Sequence, residues 1–437
     1  MNTKVKFFGM ATLLFAVTAC SSDELEMVNQ GPEITFNTSV SRATETTTDN
    51  LEEFLVYGHG EGYDQMFING LTATKKSEGY YKLSETKYWP SDVETIEFWA
   101  VAGADAAGEI KINTSTQSIN DFTPKAYNSG NAYDNSGSAH QDLILAYTKA
   151  TNNPSISLTF HHALSQISIN ATSGNTTATT SETTTTTNDS HVVKIKGAWI
   201  VNALGKSSVS CTHDKDSNEP TDGMTWNAPT DETIYGYEFK TPIELEHVNK
   251  GLLSFGHDNS NLMIIPQNIT KWELDKVKGT TKGAYILLLC RVELKHEGTV
   301  HTGGNENDIY VDGTYHYHQL FPYSQTWKNN EYGYTCVPLN NTQEGETTTI
   351  KTKWEKGKRY TYNLNFCSNT SGAGIYPAFE QLRGKVPEGE KDGYKYILGT
   401  NGAPNKTTGD PVLTQPIDFN VTVEGWEDDE TWKPIIP

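Results

Sequence analysis

The chain has 437 residues, 35% of them hydrophobic and 20% charged, and carries a formal net charge of −20 at pH 7. That length is enough for two or three domains with substantial cores, and the acidic balance excludes binding nucleic acid or anionic lipid headgroups through net charge. After the first twenty residues no apolar stretch is long enough to cross a membrane as a helix.

At the start, Lys4 and Lys6 precede an apolar run from Phe7 to Val17 that ends in Val17-Thr18-Ala19-Cys20. The run is too short for a permanent transmembrane helix, and positive charge, a short apolar stretch and small residues in that order make a signal peptide over residues 1–19. The junction resembles a bacterial lipobox. That implies lipidation of Cys20 and attachment to the membrane by acyl chains rather than by a protein helix. Residues 20–30 then read as a lipidated tether, and its opening Ser21-Ser22-Asp23-Glu24-Leu25-Glu26 is similar to the acidic signal that sends lipoproteins to the outer face of some Gram-negative outer membranes. A plain solvated linker would have the same composition.

From Glu33 onward the alternation has period two. Ile34, Phe36, Thr38 and Val40 alternate with polar residues, as do Ile286, Leu288, Cys290, Val292 and Leu294 around Arg291 and Glu293, and the same spacing recurs in Val193, Ile195, Gly197, Trp199 and Val201; in Tyr360, Tyr362, Leu364 and Phe366; and in Phe419, Val421 and Val423. Period two is the mark of half-buried sheet, and no segment has the pattern of a long amphipathic helix. Turn-rich stretches such as Asn128-Ser129-Gly130-Asn131 and Asp134-Asn135-Ser136-Gly137 separate the strands, so the fold class is all-β with sandwich-like punctuation.

In Ile156–Ile169 the apolar parity changes, with Ile156, Leu158, Phe160, His162 and Leu164 on one face and Ile167 and Ile169 on the other. A β-bulge, or a strand crossing between sheets near Ser165-Gln166, would produce this flip. Ala171 to Ser190 is mostly Thr, Ser and Asn, too poor in apolar surface to repay ordering. Because strand-like segments flank it closely, it reads as a loop within one domain. The domain boundary is expected near residue 205, dividing 31–205 from 206–437; the rival boundary is the loop itself.

No catalytic or cofactor signature emerges. There is no Gly-x-Ser-x-Gly elbow, no Cys–His signature and no glycine-rich strand-to-helix loop. Asp214, Asp216 and Asn218 alternate as in a calcium loop, but Glu219 stands where the turn needs glycine and Thr225 where the bidentate acid belongs. An irregular site there or at Asn305-Glu306-Asn307-Asp308 stays open. His316 and His318 share a strand face and could chelate a metal, yet no third ligand is evident. The chain is therefore expected to be a non-enzyme without cofactor or metal, whose folding survives chelators. Of His161 and His162 one points inward, as a satisfied core histidine. Cys211, Cys290, Cys336 and Cys367 are too widely spread for a zinc or redox motif, and read as buried thiols, with three pairings open if they bridge.

Several segments recur in an order that resembles the fimbrillin family. They are Tyr88-Trp89-Pro90 with Ile96-Glu97-Phe98-Trp99-Ala100, then Asp142-Leu143-Ile144-Leu145-Ala146 and Phe160-His161-His162-Ala163-Leu164. Leu262-Met263-Ile264-Ile265-Pro266-Gln267, Trp354-Glu355-Lys356-Gly357-Lys358-Arg359-Tyr360-Thr361-Tyr362 and Val421-Thr422-Val423-Glu424-Gly425-Trp426 complete the set. The resemblance implies two tandem β-sandwich (transthyretin-like) domains and a precursor displayed at the cell surface as an outer-membrane lipoprotein before it enters a fimbrium. It also implies cleavage between Arg42 and Ala43 by an arginine-specific protease, release of the first strand, and strand exchange with other fimbrial subunits. A ligand on a host or bacterial surface would be a further partner. The donor would be Ile417–Val423, because two prolines interrupt the tail Thr431–Pro437. Stalk, tip and anchor roles stay open. The rival function, a surface glycan-binding lipoprotein, needs several exposed Trp or Tyr on one face, whereas most Trp here lie in or beside apolar strand patterns.

Overall fold

The computed structural model describes residues 31–40, 51–77, 79–103, 109–113, 116–124, 142–174, 190–212, 224–246, 248, 250–253, 262–298, 300, 309–340, 352–368 and 370–425. Among these residues nearly every regular element is a strand, and no helix is long and apolar enough to cross a membrane. The all-β reading therefore holds, for the expected reason: alternating side chains each bury one face of a sheet.

The N-terminal part contains β1 (Thr35–Val40), β2 (Glu53–Gly60), β3 (Ile68–Ser77), β4 (Tyr80–Leu83), β5 (Thr95–Ala102), β6 (Glu109–Asn113), β7 (Thr116–Phe122), β8 (Ile144–Thr151) and β9 (Ser155–His162). Seven of them close into a barrel in the order β1-β4-β3-β2-β5-β8-β9, with β9 returning to β1. Phe36, Phe54, Phe98, Tyr81, Leu158 and Phe160 meet in its interior.

Between His162 and Ser165 the chain leaves the barrel. The next strand, β10 (Ser165–Ser173), lies in a different sheet, and its Ile167 and Ile169 enter a different core. This crossing explains the parity flip seen in the sequence.

The rest of the chain comprises β11 (Ser190–Thr212), β12 (Met224–Trp226), β13 (Thr230–Glu244), β14 (Lys250–Leu253), β15 (Leu262–Ile264), β16 (Gln267–Asn268), β17 (Glu273–Asp275) and β18 (Thr280–Lys282). They are followed by β19 (Tyr285–Glu297), β20 (Ile309–Asp312), β21 (Tyr315–Phe321), β22 (Glu331–Pro338), β23 (Lys353–Trp354) and β24 (Lys358–Phe366). The one-turn helix α1 (Phe379–Leu382), then β25 (Gly389–Lys391), β26 (Tyr394–Ile397) and β27 (Asp418–Gly425), complete it. The sheet β14-β10-β24-β27 packs against the sheet holding β11, β19 and β22, and Ile169, Tyr360, Leu364, Ile195, Leu288 and Val337 share the core between them.

The hydrogen bonding runs across the expected division near residue 205. β10 pairs with β24, and β11 pairs with β19 as far as Val201 and with β13 as far as Lys206, so β10 and the first part of β11 join the C-terminal strands rather than the barrel. From Ser207 to Thr212 the same strand pairs with β7 instead. Alternation identifies a strand and its buried face, but not its partner. Val209 and Cys211 of β11, Leu143 just before β8 and Leu145 within it, and Met263 of β15 with Ile265 just after it form a further apolar cluster that joins the two parts.

Candidate functional site

The first strand is the best candidate for a functional element, and its seat is built from both sides. Antiparallel to β4 it pairs Thr35 with Lys82 and Asn37 with Tyr80; parallel to β9 it pairs every residue from Thr35 with Ser155 to Val40 with Phe160. The strand is thus an internal one, held by ladders on both flanks. Side-chain bonds add to them: Asn37 Nδ2 donates to Ser155 Oγ at 2.8 Å, and Glu33 accepts from Lys82 Nζ at 3.0 Å.

Its alternation does what the sequence implies. Ile34 and Phe36 are buried, and Phe36 meets the ring of Phe54 edge-on at 6.2 Å. The side chain of Val40, expected to do the same, lies outside the described residues. Just before the strand, Gly31 sits so close to Trp89 that a Cβ would lie 2.2 Å from its carbonyl oxygen. Only glycine fits that approach, and Trp89 N–H donates to Pro32 O at 3.0 Å, so the Tyr88-Trp89-Pro90 segment anchors the entry of the strand.

At the other end of the chain, β27 is an edge among the described residues. It pairs along its whole length with β24 and ends the order of its sheet. Phe419 and Val421 are only partly buried against the core. A strand with one ladder and a half-exposed apolar face is the kind that can leave or extend a sheet.

Cys20, Arg42 and Ala43 lie outside the described residues, as do Asp214, Asp216, Asn218 and Asn305–Asp308, and the tail Thr431–Pro437. His162 is the inward histidine, buried and bonded through Nδ1 to Asp142. That bond accounts for the acidic residue at the head of Asp142-Leu143-Ile144-Leu145-Ala146. Cys211, Cys290, Cys336 and Cys367 are free and buried, as expected. Trp89, Trp99, Trp199 and Trp354 are core residues. The remaining described tryptophans, Trp226, Trp272 and Trp327, are half-buried, so among the described residues no tryptophan stands out as an exposed sugar platform.

One grouping was only half visible in the sequence. His316 pairs directly with His296 of β19, and His318 lies two residues further along the same strand. Residues opposite each other, and residues two apart, share a face. The ring centroids of His296 lie 4.9 Å from those of His316 and 4.8 Å from those of His318. His296 and His316 are buried and His318 is half-buried. The third histidine missing from the sequence reading is thus supplied by strand register, for which the spacing of His316 and His318 carried no signal.

The profile of a family described as fimbrillin-like matches residues 41–281, more than half of the chain. Curated protein sequences yield no match. Among solved structures, a candidate cell adhesion protein of Bacteroides uniformis is 11% identical, with a TM-score of 0.40 over 90% of this chain and 98% of that one. Another, from Parabacteroides distasonis, is 8% identical, with a TM-score of 0.37 over 94% and 99%. The tip fimbrial protein Mfa3 of Porphyromonas gingivalis, solved with a C-terminal truncation, is 10% identical, with a TM-score of 0.31 over 78% and 97%.

Proposed function

The chain belongs to the fimbrillin-like family, and on that footing we propose that it is a structural subunit of a cell-surface fimbria rather than an enzyme. In this reading it is exported as a lipoprotein on Cys20 and held at the outer membrane by acyl chains. Cleavage between Arg42 and Ala43 then makes it competent to assemble with other subunits. The observation that carries the reading is the placement of β1, which closes the barrel between β4 and β9 and fills it with Ile34 and Phe36. Covalently freed, that strand can leave, and two facing strands then lack partners along an apolar groove. Only another strand satisfies such a groove fully. The half-exposed β27 is the donor best suited to come from a second copy.

Limited digestion with an arginine-specific protease tests this. Arg291 is fully buried, but Arg383 is exposed and offers a competing site; an Arg383→Lys background removes it. First cleavage after Arg42, followed by slow growth of denaturant-resistant oligomers, is the expected result. Arg42→Ala should block both steps without altering folding. A cleaved chain that stays monomeric at high concentration would remove the stalk assignment, leaving a tip or anchor subunit, or a surface glycan-binding lipoprotein.

A further inference from the structure

We propose that His296, His316 and His318 form a binding site for a divalent transition-metal ion of the zinc type, which staples β21 and its partner β20 to β19. The proposal is independent of the fimbrial reading.

The strands make the site rigid where it needs to be. β19 is an internal strand, with Lys295 paired to Ser190 of β11 on one side and to Tyr317 of β21 on the other. β21 is held between β19 and β20, and Val311 of β20 pairs with His316. His296 has the same parity as Ile286, Leu288 and Val292, whose side chains lie in the C-terminal core. The cluster therefore continues that core toward the end of the strands, with His318 as its more open side.

Three imidazoles converge there with one ligand nitrogen from each, all within 4.8 Å of one another. In a tetrahedral zinc site, nitrogens about 2.0–2.1 Å from the metal stand roughly 3.3 Å apart. Small side-chain rotations on two adjacent strands close that difference. The rings of His296 and His316 now stack at 12°, while that of His318 stands at 86° to His296. The in-plane lone pairs of two stacked rings do not meet, so binding an ion requires one of the pair to rotate out of the stack and turn its nitrogen toward the point that His318 already faces crosswise.

The donor set chooses the class of ion. All three ligands are imidazoles with no carboxylate among them, so calcium and magnesium, which take oxygen ligands, are disfavoured. Imidazole suits zinc, copper and nickel. Three protein ligands leave a fourth position for water, or for a group brought by a partner.

The test uses the whole chain, stripped with a chelator and dialysed. Zinc is titrated calorimetrically, and cobalt(II) serves as a spectroscopic probe of tetrahedral coordination. Binding at one site per chain, visible cobalt bands and a melting temperature raised by zinc and restored by chelator are expected. His318→Ala, on the half-buried side, should fold normally and weaken binding by roughly 100-fold, at least the cost of losing an outer-shell partner. His296→Ala should do the same, and its circular dichroism reports whether it folds. No saturable zinc binding, or binding of unchanged affinity and stoichiometry in His318→Ala, would overturn the site and leave three packed histidines.

Discussion

Phe36 lies edge-on to Phe98, with ring centroids 5.6 Å apart and planes at 82°, and this contact ties the first strand to β5 across the interior of the barrel. Aromatic pairs favour this geometry, and a buried phenylalanine contributes more through its area than through the pairing itself. Phe36→Ala should therefore destabilise the uncut chain by about 3–5 kcal/mol. A urea midpoint shifted down with unchanged slope would show it. Because the loss falls on β1, the variant should also release that strand faster after protease treatment.

Glu238 is the centre of a polar network in the second part of the chain. Its carboxylate accepts from Tyr396, pairs with buried Lys196 at 3.0 Å and meets Lys391 at 3.2 Å. Burial alone would raise its pKa, but the bonds from Tyr396 and Lys196, and the charge of Lys196, outweigh burial and hold the carboxyl below the ordinary range. A lowered folded pKa adds stability that is present above the unfolded value of about 4.3 and disappears as pH falls through the folded one. Glu238→Gln should thus flatten the acid limb of the stability curve below about pH 4.3. Near neutrality it should cost about 3–5 kcal/mol, because Lys196 keeps its charge without a counter-ion. Denaturant titrations from pH 3 to 7 read both effects.

The four described cysteines should be inert in the native state. Burial pushes the thiols of Cys211 and Cys367 up to about 12 and raises those of Cys290 and Cys336 as well. The reactive species is the thiolate, which is then scarce and enclosed. In a Cys20→Ser background a thiol reagent should label none of them before unfolding and all four afterward without reductant. A lower count in denaturant would reveal a bridge.

Cys20→Ser also tests the anchor. If acyl chains hold the chain to the membrane, the variant should move from the membrane to the soluble fraction and carry no labelled fatty acid. Membrane association unchanged in the absence of assembly partners would argue for a different tether.

Much of the fold was legible residue by residue. The alternation in β24 announced a strand whose Tyr360, Tyr362, Leu364 and Phe366 are all buried. The parity change near Ser165 announced the crossing between sheets, and the inward histidine was correctly read as a core residue. These features depend on a segment's own side chains and on which of its faces is dry.

Partnership could not be read this way. β1 lies beside β9, about 120 residues further along the chain, as the Ser39–Thr159 hydroxyl contact shows. β11 pairs first with β19 and then with β7, so one strand serves both parts of the chain, which its own alternation does not announce. His296 became the third histidine of a cluster only because β19 and β21 align it with His316. Every strand offers the same backbone donors and acceptors, so hydrogen bonding alone scarcely discriminates among many apolar strands. Strand identity is therefore a local property of this sequence, whereas closure of the barrel and convergence of the histidines were decided by which complete set of strands packs both cores at once.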